Sequence, residues 1–308
     1  MSLISAANKF KEKYKHLKFT EEMVIQGLKD ADVEMRIEAA NCFRGLGQWQ
    51  ITCSLETINT ALLDADERVR MKACELNIKY TQEQIARGLT DTCAVVRGCF
   101  IRNNNHTPTS TQIELFTIDN DAIAREAIFC RGFHWCDINF SASQIERGLT
   151  DACSKVRIAT SKQKIKFTPE QVERGLLDPS PAVREAFARN LFFTPSAEQL
   201  DRGLNDFRDI ATAFIWREDI TLTDSQTANI FHKNHIYSIF SLALRKDFLP
   251  TAEQENIIIQ QDCYSVPDYE AHVSERIPVW KHIREKTALT SKFGTPFAEA
   301  PQSKKQCL

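Results

Sequence analysis

The sequence has no CxxC pair, no run of about 18 apolar residues, and almost no excess of either charge, its net charge being −2 over 308 residues. Each absence excludes something. Without a long apolar run no membrane-spanning helix is expected. The opening "MSLISAANKFKEKYKHLKF" has no apolar core and no small-residue cleavage site. It therefore reads as a basic N-terminal helix or cap over residues 1–18 rather than a secretory signal. Ten cysteines without CxxC spacing do not form a zinc framework, and "CRGFHWC" lacks a second ligand pair. They are expected to be reduced thiols of a cytoplasmic protein, several serving as small core residues. Cys307 stands second from the end, which excludes prenylation, where the cysteine is fourth. No P-loop, no Ser/His/Asp arrangement and no paired-carboxylate signature occurs, so neither catalysis nor a cofactor is expected.

What the sequence does have is a repeated sentence. "YTQEQIARGLTDTCAVVRGCF" (80–100) returns as "FTPEQVERGLLDPSPAVREAF" (167–187). Its GLxD aspartate recurs at Asp30, Asp64, Asp91, Asp151, Asp178 and Asp206, with a weaker copy at Asp119, in steps of 34, 27, 28, 32, 27 and 28 residues. These are solenoid periods. Six residues after all but the last of these anchors stands an arginine: Arg36, Arg70, Arg97, Arg125, Arg157 and Arg184.

Each unit reads as two helices. Thr81 with Gln84, Ser141 with Gln144, and Thr168 with Gln171 have the spacing of capping boxes. Tyr80, Phe140 and Phe167, just before those caps, are placed as hydrophobic staples. Asp32, Asp66, Asp121, Ser154 and Ser180 are expected to cap the second helices. Gly27, Gly88, Gly148, Gly175 and Gly203 fall inside first helices, where glycine costs about 1 kcal/mol relative to alanine. Close packing of the paired helix would account for them.

The GLxD aspartate, the Val-Arg that follows, and small residues such as Ala39-Ala40 and Ala186 resemble the short HEAT-like repeats of bacterial and phage proteins. The resemblance implies an all-α fold, an α-solenoid of tandem two-helix HEAT-like repeats over 19–206. Divergent helical repeats are expected over 207–286 and a flexible tail over 287–308. It also implies a structural Asp–Arg ladder, with second helices lining a concave groove that grips a macromolecular partner, as in an inhibitor or adaptor.

Over six copies the first-helix windows sum to a charge of −10 and the second-helix windows to +10, or −4 and +4 without the ladder residues. What remains is concentrated in "SKQKIKF" and in a column five residues after the ladder arginine, at Arg102, Lys162 and Arg189. Arg102, Arg131, Lys155, Lys162, Lys166 and Arg189 are therefore the expected partner-binding residues. Continued helical geometry places 155, 162 and 166 on one face and Lys164 elsewhere. A protein with an acidic surface is the expected partner. The alternative is nucleic acid, with a relation to HEAT-like alkylpurine DNA glycosylases and Trp135 with Asp137 or Trp216 with Asp219 as candidates; the sequence pI of about 6.4 weighs against it.

Overall fold

A computed structural model describes residues 20–44, 53–76, 78–103, 105–135, 138–260 and 267–293. Among these residues the regular structure is helical, with no strand. Residues up to Phe192 form one compact unit and those from Phe193 a second. This division by packing falls before the point, Asp206, at which the sequence pattern decays.

In the first unit the helices are α1 (Glu21–Leu28), α2 (Val33–Asn41), α3 (Leu55–Leu62), α4 (Glu67–Cys74), α5 (Gln82–Leu89), α6 (Ala94–Arg102), α7 (Ser110–Thr117), α8 (Ala122–Trp135), α9 (Ala142–Leu149), α10 (Ser154–Ser161), α11 (Pro169–Leu176) and α12 (Pro181–Ala188). They pack as successive pairs. Each even-numbered helix also packs on the next even-numbered one, so the second helices make a continuous layer of their own.

Local chemistry explains the starts. Thr81 Oγ1 accepts the Gln84 N–H at 3.2 Å while Gln84 Oε1 accepts the Thr81 N–H at 2.9 Å. The same reciprocal box opens α7, α9 and α11. Second helices start differently from copy to copy. Asp32, Asp66 and Asp121 accept from the backbone two residues on. At α10, however, the N-cap is Cys153 and Ser154 is the first helical residue, and Ser180 caps α12 without a side-chain bond. The ladder aspartate holds the turn in every one of these copies: Asp151 and Asp178 each accept the N-cap N–H at 2.8 Å, as Asp30, Asp64, Asp91 and Asp119 do at 2.8–2.9 Å in theirs.

The ladder itself is complete at five steps. Arg157 donates Nε and Nη2 to Asp178 at 2.7 and 2.9 Å, and Nη1 to the Asp151 carbonyl at 2.8 Å. Arg36–Asp64, Arg70–Asp91, Arg97–Asp119 and Arg125–Asp151 repeat the arrangement. Each arginine thus ties the turn of its own copy to the carboxylate of the next. Asp119, the weaker copy in sequence, is a full member.

The in-helix glycines seat aromatic rings. A Cβ on Gly175 would lie 2.2 Å from Phe187 Cε2, and one on Gly88 2.1 Å from Phe100 Cδ2. Phe187 and Phe100 are 1% exposed, and the rings of Phe167 and Tyr80 lie against them with centroids 5.2 and 4.9 Å away. Tyr80 and Phe167 therefore bind the second helix of their own pair, whereas Phe140 packs on Phe129 of the preceding copy. Where Ala61 replaces the glycine, Ala73 replaces the phenylalanine. Gly175→Ala is expected to destabilise by about 1–3 kcal/mol through overpacking, despite the helix propensity gained. In a Phe187→Ala background the same change should become neutral or stabilising. Denaturant unfolding of the four proteins checks this, and a stabilised single variant would refute the packing account.

The second unit contains α13 (Ala197–Leu204), α14 (Arg208–Ile215), α15 (Asp224–Lys233), α16 (Ile236–Leu244), α17 (Ala252–Gln260) and α18 (Pro267–Phe293). Capping boxes open α13 and α15, and the Phe214 ring occupies the space beside Gly203. The segment expected to be a tail from 287 is helical as far as Phe293, because α18 continues past it; Trp280, 1% exposed, anchors that helix to the core. The N-terminal helix expected over 1–18 and residues 294–308 lie outside the described residues.

Candidate partner-binding surface

At the ends of α6, α10 and α12 the chain places an exposed cation beside a buried polar side chain, and within α8 the half-buried Cys130 stands beside buried Arg131. Five residues after the ladder arginine stand Arg102, Cys130, Lys162 and Arg189; six after it stand Asn103, Arg131, Gln163 and Asn190. In the first set the three cations are exposed, and in the second set all four residues are buried.

The buried set binds backbone carbonyls of the preceding copy, most of them at or just beyond helix ends. The last carbonyls of an α-helix have no partner within the helix. Asn103 Nδ2 donates to the carbonyls of Leu76 and Ile78, both at 3.2 Å. Arg131 Nη1 donates to Ile101 O and Asn103 O at 2.9 and 2.5 Å, and Nη2 to His106 O at 2.5 Å. Gln163 Nε2 donates to Phe129 O at 2.7 Å. In the second unit Arg245 does the same for Ile215, Arg217 and Ile220. Arg131 is therefore removed from the partner-binding set: only 2% exposed, it satisfies buried carbonyls of the preceding copy and offers no charge to a ligand.

The exposed set forms a column along the layer of second helices. Cys130 sits between its members. Burial pushes its thiol up, as does Glu126, while the charges of Arg102 and Lys162 both act to lower it. Arg189 Nε donates to Glu185 Oε1 at 2.9 Å, which neutralises part of that residue's charge.

Lys162 and Arg189 share a cleft of about 460 Å³, lined also by Lys164, Ala186, Leu191 and Phe192 and by the buried residues Gln163 and Asn190. Leu191 and Phe192 are 67% and 47% exposed, large apolar groups beside three cations. Lys164 joins the cleft because α10 stops at Ser161, so helical extrapolation does not reach it. For the same reason Lys166 is an exposed linker residue rather than a neighbour of Lys162 on a helix face. Lys155 is exposed in the first turn of α10, roughly 10 Å along the axis from Lys162 at 1.5 Å per residue.

The alternative candidates do not assemble into a site. Asp137 lies outside the described residues, as does the side chain of Trp135. Asp219 is paired with Arg217 at 2.6 Å, and that hydrogen bond holds its carboxyl below the usual range. Among the described residues there is no group of three or more His, Cys, Asp or Glu placed to hold a metal, and no helix long and apolar enough to cross a membrane. Lys164, Leu191 and Phe192 were not marked as a site by spacing. The signal available for the buried set was a side chain carrying N–H donors at the same offset in four successive copies.

A family model described as a HEAT repeat associated with sister chromatid cohesion matches residues 82–97 and 170–187. No curated protein matches the chain. Among solved structures, a leucine-rich repeat variant with a novel repetitive structural motif aligns at 17% identity and a TM-score of 0.46, covering 82% of this chain and 85% of that one. The two stretches matched by the HEAT model are copies of the same helix pair, and the Asp–Arg ladder joins such pairs through the first unit: the chain is a HEAT-like repeat protein, an α-solenoid.

Proposed function

We propose that this protein is a non-enzymatic binding scaffold whose second-helix layer grips a protein partner through an acidic surface. The observation that carries this reading is the cleft, where Lys162, Lys164 and Arg189 rim exposed Leu191 and Phe192. Arg102 extends the positive column onto an earlier copy, and Lys155 and Lys166 widen it. Clustered exposed cations contribute little to folding, and no packing requirement explains their concentration. An apolar floor with a cationic rim suits a peptide segment that presents one apolar side chain between carboxylates. Such a rim acts mainly on association rate and salt dependence.

Lys162→Glu with Arg189→Glu is expected to leave melting unchanged, apart from about 0.3 kcal/mol of repulsion between residue 189 and Glu185. It should weaken capture of the partner at least tenfold. The measurement is affinity capture from source-cell lysate, with and without nuclease, using wild type and the double variant as bait. A captured protein that survives nuclease and is lost by the variant supports the reading. Capture abolished by nuclease, with affinity falling steeply as salt rises, would instead identify a nucleic-acid binder. Undiminished binding by the variant would move the site elsewhere.

A further inference from the structure

Arg102, Cys130, Lys162 and Arg189 hold one offset in four consecutive copies, on or just after α6, α8, α10 and α12. Those helices pack side by side, and packed helices lie about 8–10 Å apart, so the column advances by that step per copy. Its positive run starts at Arg102, since Glu75 holds the same offset in the copy before. Arg102 and Lys162 are exposed, and Arg102 Nη2 lies 4.0 Å from the Cys99 sulfur rather than on a carboxylate. Cys130 is a half-buried free thiol and leaves a gap in the charge. Beyond it the cleft opens between Lys162 and Arg189, where Leu191 and Phe192 are exposed. A ligand following this column meets a cation, a neutral step, a cation, an apolar recess and a last cation.

Backbone periodicity decides what can match those steps. On one face of a strand, side chains recur about every 6.6 Å or, skipping one, about every 13 Å, and neither follows a step of about 8–10 Å. Residues seven apart on an α-helix share a face and rise about 10.5 Å, close to one copy. The drift of about 20° per heptad is taken up by the long Lys and Arg stems. We infer that the partner gripped by this layer is an acidic amphipathic helix lying across the second helices, with its carboxylates at seven-residue spacing. One carboxylate faces Arg102, an uncharged residue one heptad on faces Cys130, and carboxylates two and three heptads on face Lys162 and Arg189. An apolar residue three or four positions after the Lys162 carboxylate shares that face and enters the cleft beside Leu191 and Phe192. The inference rests on the acidic-partner reading and adds the partner's conformation and register.

The test uses three fluorophore-labelled synthetic peptides of about 25 residues on an alanine-rich helical background. The first carries glutamates in this register and leucine at the cleft position. The second has the same composition with its glutamates five apart, so that they wind around the helix. The third is the first with a central proline, which breaks the helix. In anisotropy titrations with the full chain, the first should bind about tenfold or more tighter than the others and gain helical circular dichroism on binding. Lys162→Glu with Arg189→Glu should weaken it about tenfold or more, and Arg102→Glu about threefold or more. If all three peptides bind alike and the double variant loses them all, the acidic-partner reading stands and the helical register is overturned. If the first peptide does not bind measurably, the register is overturned as well, and capture from lysate decides the broader reading. If the double variant binds the first peptide as wild type does, the column itself is overturned.

Discussion

Asp178→Ala is expected to lower stability by about 3 kcal/mol and to broaden the unfolding transition. The aspartate accepts three hydrogen bonds: two from Arg157, at 2.7 and 2.9 Å, and one from the Ser180 N–H at 2.8 Å. The Arg157 and Asp178 side chains are only 13% and 9% exposed, so neither is screened as a surface pair would be. Truncation leaves a largely buried guanidinium with two of its donors unmatched and frees the turn that starts α12, a loss of the kind that costs about 3–5 kcal/mol when fully buried. Partial exposure sets the lower figure. The pair joins one copy to the next, and repeat arrays are held by nearest-neighbour terms. Weakening one joint should therefore let the copies on its two sides unfold less cooperatively. Asp178→Asn, which keeps an acceptor for Ser180, should recover part of the loss. Denaturant unfolding followed by circular dichroism measures both. An Asp178→Ala protein with unchanged melting that no longer captures its partner would make the ladder a recognition surface instead.

The ladder was legible because its geometry admits few substitutes. A guanidinium that must grip a carboxylate with two parallel bonds and also reach a carbonyl specifies Arg and Asp at every step. Identical letters therefore recur at a fixed offset. Asp119 looked weak only because its flanking residues, "LFTID", depart from GLxD; its bonds to Arg97, 2.9 and 2.7 Å, do not. The buried capping position was hidden for the opposite reason. Any side chain with N–H groups of sufficient reach can serve, so Asn, Arg, Gln and Asn fill it in turn and no one letter marks the position. The basic cluster was visible as composition, but its shape was not. Nothing in "SKQKIKF" marks the end of a helix, since it contains neither glycine nor proline, and periodicity alone carried Lys164 to the wrong face. Leu191 and Phe192 carried no signal in the sequence; their exposure arises from where α12 ends.

Arg131→Ala should be the most damaging substitution of any cationic residue in the second-helix layer, at about 3–5 kcal/mol. Sequence spacing placed this residue with Lys162 and Arg189, and the two placements predict opposite behaviour. As a surface contact it would affect binding and leave folding intact. As a buried cap its loss strands the carbonyls of Ile101 and His106 without this donor and leaves Asn103 O with the His106 N–H alone, and each buried unsatisfied group costs roughly 1–3 kcal/mol. A cavity adds to this. Arg131→Met separates the two contributions, because it fills most of the volume but supplies no N–H; it should still cost about 2–4 kcal/mol. Arg131→Lys should fall between wild type and Met, since one ammonium cannot span three carbonyls held by a planar fork. His106 provides a readout that a mere packing role would leave unmoved. Burial, then the positive charge of Arg131, holds its imidazole below the usual histidine range. Removing the charge in Arg131→Met should raise that pKa, measurable by nuclear magnetic resonance titration, while Lys162→Met leaves it in place. Hydrogen exchange should quicken at the end of α6 in the Arg131 variants alone. If Arg131→Ala instead melts like wild type and loses its partner, the guanidinium belongs to the recognition surface, and the carbonyls it bonds are satisfied without it.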